Sequence, residues 1–263
     1  MRISLNGPVI PDAWDWLYTF LKEDHICPKA IRQAIRDTPD GEALELEINS
    51  GGGDVFAGFE AYSLLREAKC PTVGIVQSLA ASSAANILAG CQTVQMSPVA
   101  QIMIHLPATG TEGNQVAHRE SAAMLESITQ SILNAYEIKV QGKTTRSKLR
   151  TMMDRTTWMS AQDAVDVGLA DEVLYQDEPL PGNVVNCISG AIRTALTNSS
   201  AGALDYSAML AQYEDAVRSG KTEAIPGHPV SDTPKAPTEP TPTTDDWQAT
   251  ARLNIEKNRF LEV

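Results

Sequence analysis

No apolar run in this 263-residue chain approaches the roughly 20 residues that cross a bilayer. Its start, MRISLNGPVIPD, has no apolar core of the kind a secretory leader carries. Neither a membrane partner nor export is therefore expected. Cysteine is sparse: Cys27, Cys70, Cys91 and Cys187 stand without metal-ligand spacing, in a chain large enough to fold without disulfides. A reducing cytoplasm and no bound metal are the corresponding expectations. Basic residues are outnumbered, 21 Lys and Arg against 33 Asp and Glu, for a net charge of -12. Such a surface repels phosphate backbones, so nucleic acid is not an expected partner. Histidine is limited to four residues, and no segment has the form of an ATP-binding loop.

The remaining composition, 43% hydrophobic and 21% charged, suits one sizeable core with additional segments. Up to residue 176, strand-like runs alternate with helical patterns. ALELEI (43–48), TVGIV (72–76) and AQIMIHL (100–106) have strand length. PKAIRQAIRD (28–37) opens on a proline suited to a first helical turn and sets Ile31, Ala34 and Ile35 on one stripe. Residues 114–141 form a long helical pattern, apolar at Ala117, Met124, Leu125, Ile128, Ile132, Leu133 and Tyr136. SAQDAVDVGLAD (160–171) opens as a capping box, Ser160 with Asp163, and stops at Gly168. This alternation predicts an α/β domain over 1–176. In the extension, 177–263, YSAMLAQYEDAVRSG (206–220) reads as an amphipathic helix. Residues 222–246, rich in Pro, Thr and Asp, read as a disordered linker, and the final stretch regains some helical pattern.

Three places invite chemistry. INSGGGDVFAG (48–58) joins a strand to a helix through three glycines, which bring backbone N–H groups close to a ligand or simply make a tight turn. SLAASSAAN (78–86) sets Ser82 and Ser83 at a strand-to-helix junction. There a hydroxyl either caps the helix or acts as a nucleophile, with the next amide as oxyanion donor. His105 ends an apolar strand pattern, whereas His25, His118 and His228 fall in a polar loop, a helix and the linker. Alone it reads as structural; beside a serine it supplies the base that an unactivated hydroxyl needs.

Taken in order, INSGGG, SLAAS, MSPVAQIMIH and WMSAQDAVDVGLADEV resemble the ClpP family of serine peptidases over residues 1–175. The closer likeness is to its phage branch, the head-maturation (prohead) proteases. The resemblance implies a ClpP/crotonase-like α/β spiral of ββα units followed by a largely disordered C-terminal extension. It implies Ser82 as nucleophile, His105 as base, and an oxyanion hole made by the Ser83 amide with that of Gly52 or Gly53. The acid position, two residues before the aromatic of MMDRTTWMSA, holds Thr156. Asp154 is then the nearest carboxylate to orient His105, the alternative being a Ser–His pair supported by Thr156 or water. Such chemistry requires neither metal nor organic cofactor. The implied setting is a homo-oligomeric ring inside a phage procapsid in the host cytoplasm, cutting scaffold and major capsid proteins. The helix at 114–141 resembles the projection through which such rings meet. The extension would serve as tether or scaffold, be removed by self-cleavage, or be dispensable. Other readings are a peptidase subunit working with a separate AAA+ unfoldase, and a non-catalytic scaffold keeping the fold. A crotonase acting on acyl-CoA ranks last, because it leaves the SLAAS and MIH pairing unexplained.

Overall fold

Alternation along LELEINS buries Leu44, Leu46, Ile48 and Ser50 and turns Glu45 and Glu47 to the flank. In the computed structural model, which describes residues 1–175, 206–220 and 223, this segment is strand β2 (Leu44–Ser50). Arg2 of β1 (Arg2–Asn6) reaches across to both acids, Nε to Glu45 at 2.6 Å and Nη1 to Glu47 at 3.1 Å. β1 and β2 run parallel, and β3 (Thr72–Ala81) runs parallel on the other side of β2.

β3 then serves two neighbours in succession. Its first half pairs with β4 (Thr93–Met96), and its last three residues, Leu79–Ala81, pair with β5 (Gln101–Ile104). β6 (Thr157–Ser160) joins β5 antiparallel, and β7 (Glu172–Val173) extends β4. The result is one seven-stranded sheet, mostly parallel, in the expected α/β class.

Helices cover this sheet where the sequence places them. After α1 (Asp15–Leu21) comes α2 (Pro28–Asp37), which starts on its proline and buries Ile31 and Ala34, with Ile35 half-buried. α3 (Val55–Glu67) is capped by the Asp54 carboxylate, which accepts from the Ala57 amide at 2.7 Å. α4 (Ser83–Gly90) is buried along its whole length. Small residues let α3 and α4 approach: a Cβ on Gly58 would collide with Ser83 Oγ, and one on Gly90 would lie 2.8 Å from the Tyr62 carbonyl.

α5 (Gln115–Val140) is capped by the Asn114 side chain. Its second half buries Ile128, Ile132, Leu133, Tyr136 and Val140, whereas its first three turns contribute no buried residue. At the foot of α5, Lys139 Nζ is buried against Asp171 at 2.7 Å, whose same oxygen accepts from the Val94 amide, tying helix to sheet. α6 (Arg146–Asp154) precedes β6. α7 (Ala161–Val167) then opens on the expected Ser160/Asp163 capping box and closes at Gly168, φ 96°.

In the extension, α8 (Tyr206–Arg218) forms where the amphipathic pattern lies, and its Tyr213 is buried. The Tyr213 ring stands edge-on to Trp16 at 5.0 Å and to Phe20 at 5.1 Å, both on α1. Glu223 apart, the linker expected over 222–246 and the final helical pattern lie outside the described residues.

Because those two ring contacts are where α8 meets α1, Tyr213→Ala should weaken its docking by about 3 kcal/mol. Hydrogen exchange read by mass spectrometry should show the α8 amides losing protection at least about tenfold, with the β2 and β3 amides unchanged. Equal protection in the variant would mean that the rings do not hold the helix.

Candidate active site

β3 ends at Ala81, and the backbone then turns abruptly into α4. The turning residue is Ser82, with φ 59° and ψ -125°. A non-glycine residue in that region costs on the order of 1–3 kcal/mol and persists only when its surroundings enforce it. Enforcement is visible on both sides: the Ser82 N–H donates to the Met103 carbonyl at 2.8 Å, and its carbonyl accepts from the Ala85 N–H at 2.9 Å. A sharp, strained strand-to-helix turn of this kind presents a side chain away from both elements.

The two serines divide the roles that the sequence left open. Ser82 stands at the N-cap position of α4 but its side chain caps nothing; its Oγ lies 3.0 Å from His105 Nε2 instead. Ser83 is fully buried, and its Oγ donates to the Asp54 carbonyl at 2.8 Å, fastening the start of α4 to the start of α3. His105 directly follows β5, the strand that lies beside the end of β3, so one pairing brings imidazole and hydroxyl together.

The glycine loop closes the site from the other side. Gly52, at φ 101°, passes so near Ser82 that a Cβ there would sit 2.5 Å from Ser82 Cβ and 2.8 Å from its Oγ. Its N–H donates to Ser50 Oγ at 3.1 Å, and its carbonyl accepts from the Val9 N–H at 2.8 Å. Gly53, at φ 148°, packs against Val9, and the Asp54 N–H donates to the Val9 carbonyl at 2.8 Å. The amides of Gly53 and Ser83 have no acceptor among the described residues. The second of these belongs to the positive end of α4. Burial raises the Asp54 carboxyl above its ordinary range, against the pull of the Ala57 and Phe56 amides; its side chain serves the α3 cap.

Two residues bear on the orienting group. The antiparallel ladder ends with Ile104 paired to Thr157, and His105 and Thr156 are the residues just beyond it. Thr156 has φ 50°, and its N–H donates to the Met153 carbonyl at 3.1 Å. Asp154 ends α6 with its side chain 46% exposed, and its Oδ1 accepts from Arg150 Nε at 2.9 Å. Arg150 also reaches Glu126 on α5 at 2.8 Å. Held by Glu126 and then by Asp154, the guanidinium keeps its charge above its ordinary range. Asp154 is thus engaged in a surface ion-pair network between α5 and α6.

Sequence reasoning missed the groups that hold this geometry. The Met103 carbonyl and the Val9 backbone act through atoms that every residue possesses, so neither leaves a side-chain signal. Ser50 lay inside the quoted INSGGG motif, but its hold on Gly52 depends on the turn itself.

A sequence model described as Clp protease matches residues 32–177, from within α2 to past β7. The ATP-dependent Clp protease proteolytic subunit of Bacteroides thetaiotaomicron is 31% identical over 138 residues, covering 52% of this chain and 62% of that protein. The ATP-dependent Clp protease proteolytic subunit 1 of Chlamydia muridarum is 31% identical over 141 residues, covering 52% of this chain and 73% of that protein. The chain therefore spans less than two thirds of the first of these relatives.

The close approach of Gly52 to Ser82 makes a direct test. Gly52→Ala should slow fluorophosphonate labelling of Ser82 about 100-fold, since misplacing a reacting atom by an ångström costs that much. Gly51→Ala, where a Cβ meets nothing within 4 Å, should leave the labelling rate within about twofold. Equal rates in the two variants would refute the packing role given to Gly52.

Proposed function

Because the chain belongs to the Clp protease family, we propose that it is a serine endopeptidase whose nucleophile is Ser82 and whose base is His105. The observation that carries this reading is the 3.0 Å contact between Ser82 Oγ and His105 Nε2, made at a strained turn. Ser82 Oγ attacks the carbonyl carbon of a peptide bond while His105 Nε2 accepts its proton. The Ser83 and Gly53 amides receive the oxyanion, Gly52 being the glycine that makes room for Ser82. As the C–N bond breaks, His105 returns the proton to the leaving amine, leaving an acyl-enzyme on Ser82. Water, deprotonated by His105, attacks the ester carbonyl and releases the acid, restoring the Ser82 hydroxyl.

In this reading the His105 ring is oriented by Asp154, or, in a Ser–His pair, by Thr156 or water. Asp154 meets Arg150 through Oδ1, which leaves Oδ2 for such a role. For biological setting, the resemblance of residues 1–175 to head-maturation proteases, together with a long extension of which α8 docks on α1, supports a procapsid protease. Its substrates would be phage scaffold and capsid proteins, and it would act as a homo-oligomeric ring inside the procapsid, within the host cytoplasm. The names of the two bacterial relatives favour a second reading, a proteolytic subunit that depends on a separate ATP-driven partner.

Fluorophosphonate treatment followed by mass-spectrometric mapping tests the core of the proposal. Ser82 should be labelled in the full chain and unlabelled after Ser82→Ala. A folded, assembled chain that takes no label would favour the non-catalytic scaffold reading instead. Against a cleavable peptide, His105→Ala should lower kcat/KM by about 10^3-fold or more, and Asp154→Asn by less than about tenfold. A loss near 10^4-fold in Asp154→Asn would make that residue the third member of a triad. Cleavage of scaffold and capsid proteins by the chain alone supports the procapsid role, whereas cleavage only with an AAA+ unfoldase and ATP supports the second reading.

A further inference from the structure

On the far side of Val9 from the glycine loop, three side chains of different chemistry converge. They are Asp15 on α1, His25 in the connection after it, and Cys27 at the N-cap of α2. Their donor atoms all lie within 4.8 Å of one another. His25 Nε2 is 3.0 Å from Asp15 Oδ1, and Cys27 Sγ is 3.9 Å from the same oxygen. Bonds of about 2.0–2.1 Å to nitrogen or oxygen and about 2.3 Å to sulfur give tetrahedral edges of roughly 3.3–3.4 Å between nitrogen and oxygen and roughly 3.5–3.6 Å to sulfur. The observed 3.0 Å and 3.9 Å each differ from the matching edge by roughly 0.3 Å, a shift within reach of side-chain rotation.

Hydrogen-bonding capacity points the same way. His25 Nδ1 lies 3.1 Å from the Glu23 carbonyl, which only accepts, so that nitrogen carries a hydrogen. In the neutral ring Nε2 then holds a lone pair, and the ionised Asp15 oxygen facing it can only accept as well. Two acceptors at 3.0 Å require something positive: a second ring proton, or a cation held between them. A carbonyl on the other ring nitrogen is the usual support of a metal-binding histidine, since it fixes the tautomer that leaves Nε2 free to ligate. The Tyr18 ring, 5.3 Å away at 49°, packs beside the imidazole.

With a ring proton in that position the Cys27 thiol is only a long donor to Asp15 Oδ1, whereas with a cation there its sulfur is a ligand. Cys27 is 2% exposed, while the side chains of His25 and Asp15 are 13% and 23% exposed. The cluster therefore has a buried soft ligand at its base and an opening to solvent. Lys29 Nζ occupies the other Asp15 oxygen at 2.6 Å, leaving Oδ1 for the shared position.

We propose that Asp15, His25 and Cys27 form a site for a borderline-soft divalent cation, Zn²⁺ fitting best, with water completing the tetrahedron. On binding, the Cys27 thiol and the His25 Nε2–H each release a proton to solvent; the thiolate then ligates, with His25 through neutral Nε2 and Asp15 through Oδ1. The site is distinct from the Ser82 centre but connected to it through backbone. Ile26, between two of the ligands, pairs with Val9, and Val9 pairs with Gly53. A metal here clamps the outer member of that three-segment stack and so helps fix the glycine loop. The ligand spacing 15, 25, 27 matches no short motif, which is why the sequence led to the expectation of no metal.

Titrating the metal-free full chain with Co²⁺ tests this without reference to peptidase activity. One equivalent should bind, with the near-ultraviolet absorption of a thiolate-to-cobalt transition. Cys27→Ser should abolish that band, and His25→Gln and Asp15→Asn should each weaken binding at least about tenfold. Cys70→Ser and Ser82→Ala should bind as the parent does. X-ray absorption of the zinc-loaded parent chain needs no variant and should show one sulfur at about 2.3 Å with nitrogen or oxygen neighbours. Absence of the band, its survival in Cys27→Ser, or bound zinc without a sulfur neighbour would overturn the proposal and leave an imidazolium–carboxylate pair. Because Ser82→Ala retains the metal ligands, failure of the metal site and failure of the peptidase reading are separate results.

Discussion

The left-handed turn at Ser82 is the constraint around which the neighbouring elements are arranged. A serine held at φ 59° would relax if either flank gave way, so the Met103 carbonyl, the first turn of α4 and the surface of Gly52 must act together. Each of these carries a further requirement. Met103 must be on a strand beside the end of β3, which places His105 two residues later. The first turn of α4 must be anchored, which Ser83 does through Asp54. Gly52 must lack a side chain and hold its own φ 101°, which it does with Ser50 Oγ on one side and the Val9 amide on the other.

The stacking of β-bridges from Ile26 through Val9 to Gly53 shows how the loop is supported from outside the sheet. In a parallel sheet the loops after the strands have few neighbours of their own, and a glycine-rich one has few side chains with which to make any. Here the segment after β1 runs along the loop and exchanges main-chain hydrogen bonds with it. The glycine loop is therefore fixed by backbone, which tolerates side-chain change at Val9 and Ile26 as long as the core contacts of those two buried residues are kept.

Much of this was legible in the sequence because it depends on side-chain identity in a local pattern. The α2 stripe, the α7 capping box with its closing glycine and the alternation of β2 are read from spacing alone. The pairing of Ser82 with His105 was legible through order and resemblance, since the two lie on different elements and no periodicity joins them. The distinction between Gly52 and Gly53 was not legible. It rests on which N–H meets Ser50 Oγ, a matter of dihedral angle that three identical residues cannot announce. Asp154 illustrates the converse: Arg150 lies four residues before it on α6, a spacing that pairs side chains on a helix. The carboxylate's engagement was thus available to sequence reasoning, while the exposure of that pair was not.

Strand β3 changes partners halfway along, and this has a mechanical meaning. Ser82 follows the central strand of the parallel sheet, whereas His105 follows β5, whose other neighbour is the short, antiparallel β6 leading back to α6 and the ion pairs of Arg150. Yet β5 and β6 send Ile102, Ile104 and Met159 into the same core as α4, so the imidazole and the hydroxyl, carried on different strands, are held in register by one shared interior.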